Sequence, residues 1–169
     1  LAYQAALKLG FVEAALGAAN TLVETFGDNP ESYLMLYSAQ LRQRPANIEG
    51  AYATLIEALK RHPKNTLLLQ YQAQFLLGIG QKLFPTPDDL PRWQQAIDEV
   101  MDAWRPAALA NHQTRPGFYY LRGEYYRKLN NPKQALQAYQ AALSAQPEHT
   151  ASLAARFDVA LRLSDLDLA

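Results

Sequence analysis

The chain has 169 residues, with 16 basic and 16 acidic side chains and a formal net charge of zero. That balance gives no electrostatic case for a nucleic acid or an anionic membrane as partner, and no apolar run approaches the ~20 residues of a membrane span. Cysteine is absent, which removes disulfides and thiol chemistry but leaves a soluble chain free to work in either the cytoplasm or the periplasm.

The apolar periodicity predicts helices at 2–9, 11–27, 32–44, 48–61, 66–79, 89–104, 117–129, 132–145 and 150–163. Gly10, Asn47, Gly80 and Asn130–Asn131 fall between helices, where a turn or left-handed residue costs least as Gly or Asn. Pro30, Pro63, Pro116 and Pro147 punctuate the other joints, where no amide donor is needed. Sustained alternation and hairpin turn pairs are missing, so the fold class is all-α.

A small residue recurs at the start of every second helix. Ala15, Ala51, Ala96, Ala135 and Ala169 are spaced by 36, 45, 39 and 34 residues. The residues after each opener recur too: Ala51, Leu55, Ala58 and Pro63 match Ala135, Tyr139, Ala142 and Pro147. Ala96, Val100, Ala103 and Trp104 repeat the pattern with the proline displaced to Pro106.

The segment Pro116–Pro147 resembles a tetratricopeptide repeat (TPR), a helix–turn–helix unit of about 34 residues. Tyr119, Gly123, Tyr126, Ala135, Tyr139, Ala142 and Pro147 carry the resemblance. It implies a TPR-type α-solenoid, a right-handed superhelix of antiparallel helix pairs. It also implies a tight crossing in which Ala135 faces Gly123. On this register, residues 1–169 form a single array of about four repeats and a truncated fifth, cut from a longer protein. Leu153, Phe157, Leu161, Leu166 and Leu168 would then lack cover and invite self-association through the last helix; the alternative is a short final helix tucked against repeat four. Two inserted loops break the period, at 81–91 and 106–115. Asp88 or Asp89 is expected to cap the helix after the first, Leu83 and Phe84 to dock on the scaffold, with display to a partner as the alternative, and Pro106 to stop the preceding helix at Trp104 or Arg105.

The resemblance also implies a concave groove lined by the first helix of each repeat. Carried onto this chain, the groove positions are Gln4 and Lys8 in repeat one; Tyr33, Leu36, Gln40, Gln43 and Arg44 in repeat two; and Leu67, Gln70, Gln74 and Leu77 in repeat three. Repeat four supplies Tyr120, Glu124, Arg127 and Lys128, and repeat five Ala154, Asp158, Leu161 and Arg162. Glutamine amides both donate to and accept from a peptide backbone. The Lys/Asn carboxylate clamp of chaperone-binding TPR domains is absent. Its positions hold Leu36/Gln40, Gln70/Gln74 and Tyr120/Glu124, and Glu124 would oppose a carboxylate.

No phosphate-binding loop, nucleophile elbow, zinc-protease motif or dinucleotide fingerprint occurs. His62, His112 and His149 lack ligand spacing, and Asp98, Glu99 and Asp102 read as a solvated helix face. The chain is therefore expected to be no enzyme, with no catalytic residue, metal or cofactor. It reads as a protein–protein interaction scaffold binding a peptide or protein segment. The alternative is an accessory TPR region of a larger enzyme or of an envelope secretion or polysaccharide-export protein.

Overall fold

The computed structural model describes residues 2–167, with side chains described through residue 163; Ala169, Leu168 and the side chain of Leu166 lie outside that set. Among the described residues the chain is helical with no strand. It divides into two compact units, Leu1–Val100 and Met101–Ala169.

The N-terminal unit contains α1 (Ala2–Lys8), α2 (Val12–Thr25), α3 (Pro30–Arg42), α4 (Ile48–Arg61) and α5 (Thr66–Leu77). Two 3-10 turns come next, Gly80–Leu83 and Pro87–Asp89, and then the first half of α6 (Leu90–Ala110). The C-terminal unit contains the rest of α6, α7 (Arg115–Lys128), α8 (Pro132–Ala145) and α9 (Thr150–Asp167). Within each unit consecutive helices pack together, α1 through α5 in one and α7 through α9 in the other. Short connections make such neighbours antiparallel hairpins.

The turns repeat as the helices do. Gly10 has φ +75° and Asn130 φ +54°. At the first, Phe11 N–H reaches Ala6 O at 2.9 Å and Gly10 N–H reaches Leu7 O at 3.2 Å; at the second, Asn131 N–H reaches Tyr126 O at 2.9 Å and Asn130 N–H reaches Arg127 O at 3.1 Å. Both are Schellman ends, in which a left-handed residue satisfies the last carbonyls of a helix. Asparagine also opens helices. The side chains of Asn29, Asn47, Asn65 and Asn131 accept from the amides of Glu31, Gly50, Leu68 and Gln134 at 3.0, 2.8, 3.0 and 3.2 Å. Each satisfies an amide that the helix itself cannot.

The second helices bury their small openers. Ala15, Ala51 and Ala135 are wholly inaccessible. Repeat three departs from the expected register: Ala96 is only half-buried, whereas Ile97, Val100, Met101 and Trp104 are buried. That set is spaced like Ala51, Thr54, Leu55 and Ala58, so Ile97 occupies the opener's place, one residue later than the alanine. An isoleucine there keeps helices apart, and the backbones of α5 and α6 are not closely paired. Trp93 fills the gap instead, 1% exposed, its indole N–H donating to Leu76 O at 3.0 Å.

Both expected insertions are more ordered than loops. In 81–91, the turn Gly80–Leu83 packs on α4 and α5, leaving Leu83 and Phe84 half-buried, and Leu90 and Pro91 already belong to α6. Thr86, rather than an aspartate, stands before the Pro87–Asp89 turn that leads into α6, and its N–H and hydroxyl donate to Asp89 Oδ2 at 3.3 and 2.7 Å. In 106–115, α6 runs through Pro106 to Ala110, so Pro106 does not stop it. Trp104 and Ala108 anchor the helix on either side of the proline, and the last carbonyls of α6 find side-chain donors. Thr114 Oγ1 donates to Ala108 O at 3.1 Å, and the Arg115 guanidinium to Leu109 O at 2.9 and 2.6 Å.

Candidate functional site

The expected groove residues divide into those the scaffold uses and those it leaves open. In the N-terminal unit Tyr33 and Leu36 are core residues, 2% and 9% exposed, and so is Leu77. Gln40 is tied inward: its Oε1 accepts from the Thr54 hydroxyl at 2.9 Å. On α5, Gln70 is half-buried and Gln74, one turn on, is exposed. Neither amide has a hydrogen-bond partner among the described residues. Tyr71 and Phe75, each next to one of them in sequence, meet Tyr37 edge-on at 5.9 and 6.0 Å. Burial, then the neighbouring Tyr71, pushes the Tyr37 hydroxyl up to about 12.

Gln43 and Arg44 belong to a different place from Gln40. They line a cleft of about 740 Å³ with Leu7, Gly10, Val12, Glu13, Leu41 and Arg42. One wall is the α1–α2 turn and the other the end of α3. Gln43 Nε2 donates to Glu13 Oε1 at a long 3.5 Å, and Gln43 Oε1 is buried without a partner, an arrangement that costs about 1–3 kcal/mol.

In the C-terminal unit, Glu124 is a hub. Tyr139 O–H donates to its Oε1 at 2.7 Å, and Arg127 donates to its Oε2 at 2.5 Å. Burial raises the Tyr139 phenol first, and the hydrogen bond to Glu124 raises it further. Lys128 is lowered by burial and then by Arg127 beside it. Tyr120, raised by burial, lies 6.1 Å from the Tyr139 ring and 5.7 Å from that of His149. His149 Nδ1 accepts from Ser152 N–H at 3.3 Å and contacts Ser152 Oγ at 2.8 Å, so this histidine caps α9. Asp158 and Arg162 pair at 3.2 Å in the middle of α9. The carboxylate of Glu124 is thus balanced by Arg127 and is no bare negative charge. Leu153, Phe157 and Leu161 on α9 are 46%, 66% and 48% exposed.

The tightest contact on Gly123 is made by Tyr139 rather than by Ala135. A Cβ on Gly123 would stand 2.3 Å from Tyr139 Cε1, so the glycine makes room for the tyrosine ring. Ala135 is buried nearby, in a cluster with Tyr139 and Val159.

No family model matches the chain, and no curated protein does. Solved structures do. One is the MamA RS-1 ArsTM double mutant, 22% identical over 96% of this chain and 82% of that one, with a TM-score of 0.68. Another is TTC0263, a thermophilic TPR protein in Thermus thermophilus, 21% identical over 94% of this chain and 78% of that one, with a TM-score of 0.65.

The fold is of the TPR type.

The TPR register points to Gln70, Gln74, Tyr120 and Lys128 because they keep the period of the first helices. It misses Glu13 and Arg42 in the cleft, which sit off those positions. It also misses Tyr139 as the partner of Glu124, fifteen residues away on the second helix of the same repeat. The residue types alone carried a signal for the last: a phenol on α8 facing the glycine of α7 must reach past it toward the polar edge of that helix. Among the described residues no cluster of His, Cys, Asp or Glu could hold a metal ion, and no helix is long and apolar enough to cross a membrane.

Proposed function

We propose that this TPR-type chain is a protein–protein interaction scaffold with no catalytic site of its own. It holds a peptide or protein segment against the first helices of its repeats. In the N-terminal unit the contacts come from Gln70 and Gln74, with Gln40 behind them. In the C-terminal unit they come from Tyr120 and Lys128 around the Glu124–Arg127 pair, and from Asp158 and Arg162.

The observation that carries the reading is the pair of unpartnered amides on α5. Gln70 and Gln74 are four residues apart and so share one helix face, with no hydrogen bond inside the chain among the described residues. Each offers a donor and an acceptor, the complement of an extended peptide backbone. On the second helices the recurring positions Ala51, Leu55, Ala58, Ala135, Tyr139 and Ala142 are all wholly buried and serve the core.

The test is partner capture with the Gln70→Ala/Gln74→Ala variant beside a Gln140→Ala control, an exposed glutamine of α8. The amide variant is expected to lose partners that the control keeps, with both melting as the parent does. Retention of every partner by a folded amide variant overturns the reading.

A further inference from the structure

We propose that the cleft between the α1–α2 turn and the end of α3 is a separate binding site for a carboxylate-rich peptide segment, with Arg42 and Arg44 as its anion-binding residues. The argument begins with what these arginines lack. Arg61, Arg92, Arg105, Arg127 and Arg162 each pair with a carboxylate three or four residues away on their own helix. Arg115 and Arg122 are held by Leu109 O and by the Tyr126 hydroxyl. Arg42 and Arg44 are exposed and have no ion pair or hydrogen bond among the described residues. The reason lies in their neighbours along the chain. The positions three and four away hold Ser38, Ala39, Pro45 and Ala46 for Arg42, and Gln40, Leu41, Asn47 and Ile48 for Arg44. Two guanidinium groups therefore line one concave surface without an ion pair among the described residues.

The rest of the lining selects the ligand. The volume, about 740 Å³, lies within the ~300–1,000 Å³ usual for ligand sites. Glu13 is the one acid in the lining, and its contact with Gln43 is long, so it can accept an N–H from an entering chain. Gln43 Oε1, buried without a partner, becomes a second acceptor once its amide turns about its soft terminal torsion. Leu7, Val12 and Leu41 add apolar wall. Two guanidinium forks match carboxylates in plane. Glu13 repels the acids of a peptide and a free dianion such as phosphate alike, but only the peptide offsets this by donating backbone amides to it. Gln70 and Gln74 do not line this cleft, so the proposal goes beyond the scaffold reading and does not depend on it.

The experiment is calorimetric titration of the whole chain at low and physiological ionic strength. The probes are a hexaglutamate peptide, a hexaglutamine peptide and inorganic phosphate. Hexaglutamate is expected to bind, more weakly at higher salt, with the other two at least about tenfold weaker. Arg42→Gln/Arg44→Gln should weaken hexaglutamate by about tenfold or more, as loss of charge-assisted hydrogen bonds requires. Arg156→Gln, which removes an equally exposed and unpaired arginine on α9, and Gln70→Ala/Gln74→Ala should leave it unchanged. Because both arginines are exposed, the variant should fold; Arg42→Lys/Arg44→Lys, which keeps the charge and removes the fork, gives a second measure with an intermediate loss. The proposal is overturned by an absence of hexaglutamate binding, by phosphate binding as tightly as the peptide, by equal binding in the folded double variant, or by an equal loss in Arg156→Gln.

Discussion

Replacing Gly123 by alanine should destabilise the protein, although the same change elsewhere in a helix stabilises one. The new Cβ would stand 2.3, 2.5 and 2.9 Å from Cε1, Cδ1 and Cζ of Tyr139. The ring cannot swing aside, because Tyr139 is wholly buried and its hydroxyl is bonded to Glu124 at 2.7 Å. Overpacking of this kind costs about 1–3 kcal/mol. Displacing the ring also weakens a hydrogen bond to a charged group, worth about 1.5–3 kcal/mol. Against this stands the helix preference of alanine over glycine, about 1 kcal/mol. The net loss is about 2–4 kcal/mol, a fall of roughly 5–15 °C in melting temperature for a chain of this size. The controls are Gly17→Ala and Gly117→Ala, where a Cβ meets nothing within 4 Å and stability should rise by about 0.5–1 kcal/mol. A further variant, Gly123→Ala/Tyr139→Leu, copies the equivalent pair in repeat two, Ala39 and Leu55, and should lose less than the two single changes together, with coupling of about 1–2 kcal/mol. Urea and thermal unfolding monitored by circular dichroism reads the parent and every variant. A Gly123→Ala protein as stable as the parent, or a double variant with strictly additive losses, would refute the close contact.

Ala135→Leu should cost about 1–3 kcal/mol, since Ala135 is inaccessible and packed with Tyr139 and Val159; an unchanged urea midpoint counts against the packing. Pro106→Ala should raise the thermal midpoint by restoring an amide donor inside α6, a gain of about 1–3 kcal/mol before the lost rigidity of the unfolded chain is deducted; a lower midpoint would show that the proline is needed. Stability should fall as pH rises above about 10, where unfolded phenols ionise while Tyr37, raised to about 12, holds its proton in the fold. That contribution is complete below the unfolded value and disappears as pH passes the folded one, so Tyr37→Phe should flatten the alkaline slope of the urea midpoint, and an unaltered slope would exclude Tyr37 as its source.

What the sequence showed and what it hid depend on which forces leave a periodic trace. The helices and the buried alanines at 15, 51 and 135 are legible because burial imposes a repeating pattern on residue size. Repeat three is misread because Ala96 and Ile97 are adjacent: residue type matches at the alanine, while packing is satisfied one position on by a larger side chain that holds α5 and α6 apart. Pro106 reads as a stop by its missing amide, yet the exposed proline costs α6 one hydrogen bond while Trp104 and Ala108 hold the helix from its other side. The asparagine caps were half visible, since the residue types that turn a chain also cap a helix. The cleft of Arg42 and Arg44 was not legible as a site, because Glu13 and Gly10 reach it from another repeat.

The equivalent positions also show what the fold conserves. Residues 3, 39 and 123 occupy one place in repeats one, two and four, and residues 19, 55 and 139 face it from the second helix. The pairs are Tyr3 with Ala19, Ala39 with Leu55, and Gly123 with Tyr139. All six are buried, and Tyr3 and Ala19 share one core cluster. In repeat four the bulk comes from the second helix and in repeat one from the first; in repeat two it is of middle size. Close packing constrains the filled volume and not which side fills it. A pattern that demands a small residue on the first helix is therefore met at Gly123 and Ala39 and missed at Tyr3, although the helices pair in all three. The same place on α9 holds Phe157, which is 66% exposed. By the logic of Tyr3, any helix laid against that face needs an alanine or glycine opposite the phenylalanine, as α2 has at Ala19 and α8 does not have at Tyr139.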